Sequence, residues 1–492
     1  MMKILNYLKR KQSYVLIIAL TIIYLLFLSI NPVSDAYSYA YSSLWGEDMF
    51  RPHHLLYCLW GRIILRLFAF TAIEPITLLQ ISNALVAGGC LLILRRIIKR
   101  INREEKFITS SVLFCGACFG FVRFATDNEC YMVPLFLTLL AIYYVQIFLI
   151  RNTYSRLLKA SVSLVFACLF HQLAIIVWLP VAVLILLNRN KKYILSFFAV
   201  SLVIPLVYAL SVCVISGDVS LVSTIKFALT DYINGTAQMP QLKQVLMLSI
   251  VSLVRTFIQV HGYMFEFAKD NLAVSIVVCA LVLFLFVFGV IAFIKDKHNT
   301  LKLFHERLFV RFIWVLLVAT FAFAAFSNGN AEFMTLIPFL IVMLHAYYFN
   351  SFKPVFSFGI AIFLWNMTFA LYPLGRIKMT PQEDIALLSR KYENAVFVLR
   401  NKNMVENICL YKWGKDLNIT LKHAHKYTEE QYILDKNEGK IIITDVIDGE
   451  ESLNRASLTE QIEFGFENVQ KRKILLRFSS PMCKRIVCEV VD

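Results

Sequence analysis

Residues 273–294 read AVSIVVCALVLFLFVFGVIAFI and contain no charged side chain. A helix needs about 20 mostly apolar residues to cross a bilayer, and this run satisfies that requirement. Working outward, comparable runs occupy 14–30, 75–94, 107–124, 131–150, 193–215, 308–326, 333–349 and 354–372. The 492-residue chain is 59% hydrophobic and 17% charged, whereas soluble domains carry about 25% charged residues. This composition excludes a water-soluble enzyme, a disordered chain and a disulfide scaffold, and predicts a protein that crosses a membrane several times.

Three further apolar segments need a different interpretation. Residues 157–187 are too long for one span, and the polar pair His171-Gln172 predicts two short helices that meet there. The total is then about eleven spans. Residues 53–70 and 244–261 contain arginines, and a charge at the bilayer centre costs about 2.5–3.5 kcal/mol. We expect both segments to be amphipathic helices in the interface.

The distribution of charge predicts the orientation in the membrane. With a cytoplasmic N-terminus and eleven spans, the inner segments hold 22 basic and four acidic residues. The outer segments hold ten basic and eleven acidic residues. This bias follows the positive-inside rule. We expect a multi-pass protein of the cell (inner) membrane whose first span is a retained anchor and whose C-terminus is extracytoplasmic.

The composition changes after residue 380. Residues 1–380 have a net charge of +17, and residues 381–492 have a net charge of −1. Because the soluble part is not basic, nucleic-acid binding is excluded. Strands are predicted at Asn394–Leu399, Ile408–Tyr411, Lys440–Thr444, Lys473–Phe478 and Arg485–Val490, and helices at Gln382–Tyr392 and Thr428–Lys436. We therefore expect an all-α polytopic membrane domain (1–380), with about eleven transmembrane helices plus interfacial helices, followed by a small α/β soluble domain (381–492).

Ionisable residues cluster at the outer ends of the spans. They are Asp35, Arg51, His53, His54, Arg123, Asp127, Glu129, His171 and Glu332. Ionisable groups next to apolar membrane segments usually mark a substrate-binding site or a substrate pathway. Structural alternatives stay open: Asp35 as a helix cap, Arg123 paired with Asp127, and the histidines as interface anchors or buried core residues. Glu47 and Asp48 fit a solvated turn.

Such a set suits sugar transfer from a lipid phosphate to a hydroxyl. One carboxylate can take the proton of the acceptor hydroxyl as general base. The departing phosphate is already a stable anion, so it needs cationic or N–H donors and no acid. Paired carboxylates of the glycosidase type are therefore unnecessary.

Four motifs carry a resemblance to a known family. His54–Tyr57 (His-Leu-Leu-Tyr) resembles the family's His-Pro-Pro-Leu-Tyr, and Arg123–Glu129 stands where the family often has Arg-X-Asp. Phe170-His171-Gln172 stands where Thr-Lys-Gly is common, and Glu332 leads into a span containing Pro338. In this order, after Asp35, they make the chain similar to the GT-C superfamily of polyprenyl-phosphate-sugar-dependent glycosyltransferases, within the protein O-mannosyltransferase and lipid A aminoarabinose transferase branch.

The resemblance implies a GT-C-like catalytic domain over residues 1–380 and roles for individual residues. Asp35 becomes the catalytic base, and Asp127 or Glu129 helps to place the donor sugar or the acceptor. The remaining substrate-binding candidates are Arg51, His53, His54, Tyr57, Arg123, His171 and Glu332. The implied partners are a polyprenyl-phosphate sugar donor, a glycan, lipid or protein acceptor, and membrane lipids. No cofactor is expected, although Asp35, Asp127 and Glu129 could hold a divalent cation.

Three other functions compete with this hypothesis. A lipid-linked polysaccharide polymerase or ligase would also act on the outer face, but on a diphosphate-linked oligomer. A lipid or solute transporter would place its site near the bilayer midplane between repeated halves, and no repeat is evident here. A non-enzymatic scaffold would use the soluble domain as a binding module.

Overall fold

A computed structural model describes residues 11–102, 104–218, 220–234, 242–260, 262–296, 303–392, 394–415, 419–446, 464, 466 and 471–491. The first helices are α1 (Gln12–Leu26), α2 (Ser34–Trp45), α3 (Tyr57–Leu67), α4 (Pro75–Ile101), α5 (Glu105–Ala117), α6 (Phe119–Thr126), α7 (Met132–Arg151), α8 (Tyr154–Phe170), α9 (Ile175–Asn188), α10 (Lys191–Ser201) and α11 (Val203–Ser216). They continue as α12 (Leu221–Ala228), α13 (Thr230–Ile233), α14 (Leu242–Phe257), α15 (Tyr263–Asp270), α16 (Leu272–Ile294), α17 (Phe304–Phe326), α18 (Ile337–Tyr348), α19 (Lys353–Asn366) and α20 (Tyr372–Arg376).

Among the described residues, seven helical segments are long and apolar enough to cross a membrane. They are Pro75–Ile101, Met132–Arg151, Lys191–Ser216, Leu272–Ile294, Phe304–Phe326, Ala331–Tyr348 and Lys353–Arg376. The bent pair α5 and α6 makes an eighth if it is counted as one span. The other three expected spans correspond to helices that are shorter, namely α1, α8 and Gln172–Asn188. The chain is a multi-pass membrane protein, as its composition predicts.

The centre of the bundle depends on close helix contacts. Gly88 on α4 faces Thr21 of α1, and a Cβ atom there would lie 2.6 Å from the Thr21 hydroxyl. Gly116 on α5 faces Leu20, and a Cβ atom on Gly116 would lie 2.7 Å from Leu20 Cδ1. Small residues allow this approach in a bilayer, where dispersion contacts drive helix association. By contrast, α16 leaves most of its large apolar side chains exposed, as a lipid-facing helix does.

The break between α5 and α6 positions part of the candidate site. The two helices are bent by 67° at the extended residue Cys118. Such a break frees backbone groups that need new partners inside the membrane. Asn366 supplies one, because its amide donates a hydrogen bond of 2.8 Å to the carbonyl of Ala117. The bend turns Gly120 and Arg123 of α6 towards a cavity.

A five-stranded sheet forms the C-terminal domain, as expected. Its strands are β1 (Ala395–Leu399), β2 (Thr420–His423), β3 (Ile441–Thr444), β4 (Lys471–Ser479) and β5 (Lys484–Val491), in the order β2-β1-β3-β5-β4. The strand β1 pairs in parallel with β2 and β3, and β5 pairs antiparallel with β3 and β4. Helices α21 (Gln382–Ser389), α22 (Lys402–Trp413) and α23 (Glu429–Asn437) accompany the sheet.

The expectation of a strand at Ile408–Tyr411 is wrong, because this segment belongs to α22. Val405, Ile408 and Cys409 are buried and recur at the spacing of one helix face. A short apolar run does not distinguish a strand from a buried helix. The second strand of the sheet is β2 instead, which the sequence pattern did not reveal.

The sheet domain packs directly on α2. Ala36, Tyr37 and Ala40 share one hydrophobic core with Phe397 and Ile408 of the C-terminal domain. Polar contacts fix the same interface. The amide of Asn407 donates hydrogen bonds to the carbonyl and hydroxyl of Ser34, at 3.2 and 3.0 Å. The C-terminal domain therefore holds the first turn of α2, which carries Asp35.

Candidate active site

A cavity of about 450 Å³ lies where α6, α14 and the loop before α2 meet the C-terminal domain. Its polar lining includes two carboxylates and two guanidinium groups. These are Asp127, Glu332, Arg123 and Arg255. The C-terminal domain contributes Asn401, Met404 and Met482 to the same lining. Acidic, basic and apolar surfaces therefore meet in one space.

Asp35 is not itself a lining residue of this cavity, but it is next to one in sequence and interacts electrostatically with another, Glu332. Asp35 lies in the first turn of α2, directly after the lining residue Ser34. Asp35 is exposed. Partial removal of water is nevertheless the largest cause of a raised pKa for Asp35, and the Glu332 carboxylate raises this pKa further. The guanidinium of Arg51 acts in the opposite direction. Asp35 is thus near both a like and an opposite charge while it stays accessible.

The loop Asp127–Glu129 is buried and held by amide side chains. Asn83 donates hydrogen bonds of 2.8 Å to the carbonyls of both Asp127 and Glu129. Asn128 donates to the carbonyl of Ala36, at 2.7 Å, which ties the loop to α2. Burial raises the pKa of Asp127 to about 6, although the backbone N–H of Asn128 stabilises its charge. This loop presents carboxylates from a fixed backbone.

Glu332 is the fourth carboxylate of the site and comes from the segment before α18. Its carboxylate accepts a hydrogen bond of 2.7 Å from the Tyr131 hydroxyl. Burial raises the pKa of Glu129, and the charges of Glu332, Asp127 and Asp35 raise it further. Glu129 therefore lies close enough to the other three carboxylates to be repelled by each of them.

Arg123 and Arg255 are both half-buried in the cavity wall. Within the described residues, Arg123 forms no ion pair of 4.0 Å or less with Asp127, which follows α6 in an extended conformation. The guanidinium of Arg123 nevertheless acts on Asp127 without direct contact, because its charge lowers the pKa of the Asp127 carboxyl. Arg255 was not among the sequence candidates. The only available signal is a single arginine in an otherwise apolar segment, residues 244–261.

The histidines form a second group behind the acidic loop. The rings of His54 and His171 are 4.6 Å apart between centroids, and His54 Nε2 lies 3.8 Å from Cys130 Sγ. His53 makes a separate contact, with its Nδ1 2.8 Å from the side-chain oxygen of Gln172. Burial lowers the pKa of His171 to about 3. His171 is therefore neutral near pH 7 and offers no positive charge to a phosphate.

Two predicted residues mainly position others. Arg51 donates hydrogen bonds to the hydroxyls of Ser38 and Ser42, at 2.8 and 2.9 Å, and so supports α2 from the side. The buried Tyr57 hydroxyl donates to Asn128, at 2.8 Å. Both contacts fix elements that carry the carboxylates.

One group of described residues has the geometry of metal ligands. The ligand atoms of His54, Cys130 and His171 all lie within 4.8 Å of one another. Asp35, Asp127 and Glu129, which the sequence suggested as cation ligands, do not form such a group among the described residues.

Comparisons with known proteins identify the fold. No protein-family model and no curated protein sequence matches the chain. An oligosaccharyltransferase from Archaeoglobus fulgidus, solved with zinc and sulfate, is similar in structure, with a TM-score of 0.50 and 12% identity over 88% of this chain and 68% of that one. The same enzyme tethered to an acceptor peptide gives a TM-score of 0.50 and 10% identity over 90% and 70%. ArnT from Cupriavidus metallidurans, bound to undecaprenyl phosphate, gives 0.45 and 11% over 98% of both chains. The chain has the GT-C fold.

Proposed function

We propose that this chain with the GT-C fold is an integral-membrane glycosyltransferase that moves a sugar from a polyprenyl-phosphate donor to an acceptor hydroxyl. The observation that carries the proposal is the cavity in which Asp127 and Glu332 meet Arg123 and Arg255, with Asp35 next in sequence to the lining residue Ser34. Carboxylates suit a sugar and an acceptor hydroxyl, and guanidinium groups suit a phosphate. The fold comparison supports the same class of enzyme.

In the proposed reaction, Asp35 acts as the general base. The acceptor hydroxyl gives its proton to the Asp35 carboxylate as its oxygen bonds to the anomeric carbon of the donor. The bond between that carbon and the phosphate oxygen breaks, and the electron pair leaves with the phosphate. The phosphate gains one negative charge, which Arg123 and Arg255 stabilise. No metal enters any of these steps.

We place the reaction on the extracytoplasmic face of the cell (inner) membrane, with the N-terminus in the cytoplasm. The excess of basic residues in the alternate, inner segments supports this orientation. The cavity lies at the end of the membrane part that carries the C-terminal domain. We assign residues 1–380 to catalysis and residues 381–492 to the extracytoplasmic side, where Asn401 and Met404 would face the acceptor.

Transfer of a larger, lipid-linked glycan is the second candidate. It is favoured by the structural similarity to an oligosaccharyltransferase, one structure of which holds an acceptor peptide. A lipid-linked polysaccharide polymerase or ligase belongs to the same alternative. Such enzymes differ from the enzyme proposed first in two properties of the donor: the length of its glycan and its phosphate linkage.

A donor assay with the purified full-length protein in lipid nanodiscs tests the proposal. We expect release of free polyprenyl phosphate from a polyprenyl-monophosphate sugar when a mixture of hydroxyl acceptors is present, and no release from a nucleotide sugar. Faster consumption of a diphosphate-linked oligosaccharide would favour the second candidate. Consumption of neither lipid donor, by a protein that melts cooperatively, would contradict both.

The acid limb of the pH profile is expected to report the environment of Asp35. The base must be ionised, so activity falls as the pH drops through the pKa of Asp35 in the folded protein. Because burial and Glu332 raise that pKa, kcat/KM should fall at a higher pH than an ordinary aspartate would cause. The substitution Glu332→Gln removes the repelling charge, so we expect the acid limb to move to lower pH.

The position of the limb, rather than the rate, is the measurement. The side-chain carbonyl that Glu332→Gln introduces can still accept a hydrogen bond from Tyr131, so the contact seen with Glu332 is retained. Asp48→Asn serves as the matched control, since Asp48 is exposed and lies outside the cavity. An acid limb that stays in place or moves to higher pH in Glu332→Gln would contradict the assignment.

A further inference from the structure

The cluster of His54, Cys130 and His171 has no part in the proposed reaction. Each residue comes from a different connection: the turn before α3, the loop between α6 and α7, and the break after α8. The residues are far apart in sequence, and their ligand atoms nevertheless lie within 4.8 Å of one another. Three loops that are distant in sequence therefore bring two imidazoles and a thiol together.

The hydrogen bonds leave one ligand nitrogen of this cluster, His171 Nε2, without a partner among the described residues. Nδ1 of His171 accepts a hydrogen bond of 3.1 Å from the backbone N–H of Leu173, which fixes the ring. Its Nε2 is buried and has no hydrogen-bond partner among the described residues, and the same holds for His54 Nδ1. Buried polar atoms are normally paired. A bound cation would satisfy His171 Nε2 directly.

We propose that His54, Cys130 and His171 bind a zinc-class divalent cation. Bonds of about 2.3 Å to sulfur and about 2.1 Å to nitrogen, at the tetrahedral angle, place the two ligand atoms about 3.6 Å apart. The distance from His54 Nε2 to Cys130 Sγ is 3.8 Å. On binding, the Cys130 thiol releases its proton to solvent and coordinates as a thiolate. Tyr39, whose hydroxyl is 3.7 Å from Cys130 Sγ, then donates a hydrogen bond to that thiolate.

The donor atoms decide the class of metal. Two imidazole nitrogens and one thiolate favour Zn²⁺ or Co²⁺ over Mg²⁺, Ca²⁺ and Mn²⁺, which prefer oxygen. Three protein ligands leave one position for water. His171 lines a cleft of about 50 Å³, which is room for a water molecule. The cation would cross-link three connections around Tyr131, the residue that holds Glu332.

X-ray absorption at the zinc edge tests the ligand set without any substitution. The full-length protein in detergent is loaded with one equivalent of Zn²⁺ and passed through a desalting column. We expect retained zinc with one sulfur neighbour at about 2.3 Å and nitrogen neighbours at about 2.0 Å. Loss of the zinc on the column, or a shell of oxygen atoms alone, would overturn the proposal.

Cobalt substitution tests the role of Cys130. The Co²⁺-loaded protein should show a near-ultraviolet band from thiolate-to-metal charge transfer, and Cys130→Ala should lose it. Cys90→Ala is the matched control, because Cys90 is a buried cysteine outside the cluster. A band that persists in Cys130→Ala would contradict the site. Neither experiment measures sugar transfer, so their outcome is separate from that of the proposed function.

Discussion

Asp35→Asn is expected to lower turnover by about 10²- to 10⁴-fold, the range that a positioned general base contributes. The amide is close in shape to the carboxylate but cannot take the acceptor proton. Because burial and the Glu332 carboxylate disfavour the charge of Asp35 in the folded protein, removal of that charge should not lower the melting temperature. Initial rates with a polyprenyl-monophosphate sugar, together with the melting temperature, measure both effects.

Asp48→Asn provides the comparison for this loss. Asp48 lies in the turn after α2, is exposed, and adopts a left-handed backbone conformation with φ of 48° that asparagine tolerates well. We expect wild-type rates from this variant. If Asp35→Asn also retained near-normal turnover, the general base would have to be another group, and the proposed mechanism would be wrong.

The double substitution Arg123→Gln and Arg255→Gln is expected to reduce kcat more than it changes KM. The donor phosphodiester carries one negative charge, and the departing polyprenyl phosphate gains a second as the bond breaks. Guanidinium groups therefore stabilise the transition state more than the bound donor. Removing a donor to such a developing charge costs about 10²- to 10³-fold in kcat. Steady-state kinetics over a range of donor concentrations separate the two constants.

Arg66→Gln is the control for this pair. Arg66 is exposed in the last turn of α3 and does not line the cavity, so its loss should leave both constants unchanged. Arg123→Lys should recover part of the rate, since lysine keeps the charge but loses the two-pronged contact. A rise in KM alone, with kcat intact, would show that the arginines only bind the donor.

The spans could be predicted from the sequence because their energetics are local. A charged residue inside the bilayer is costly wherever the rest of the chain lies. The arginines therefore marked residues 53–70 and 244–261 as unusual, and the structure has the short helices α3 and α14 there. Four of the five predicted strands are present as β1, β3, β4 and β5. The prediction of a strand at Ile408–Tyr411 is wrong, because four apolar residues fit a strand and a buried helix equally well.

The polar residues at the ends of the spans can be identified from the sequence, but their division into two groups cannot. Asp127 and Glu332 line the cavity and Asp35 follows the lining residue Ser34, whereas His54 and His171 lie close to Cys130. Arg255 joins the first group from a segment expected only to lie in the interface.

The sequence by itself determined that the chain crosses a membrane many times and which ionisable residues lie at the ends of its apolar segments. Only the tertiary structure decided which of them meet, because those contacts depend on the 67° bend between α5 and α6 and on the docking of the C-terminal domain against α2. Hydropathy is a property of each segment alone. The separation of two side chains on different connections is fixed by packing between helices that are distant in sequence.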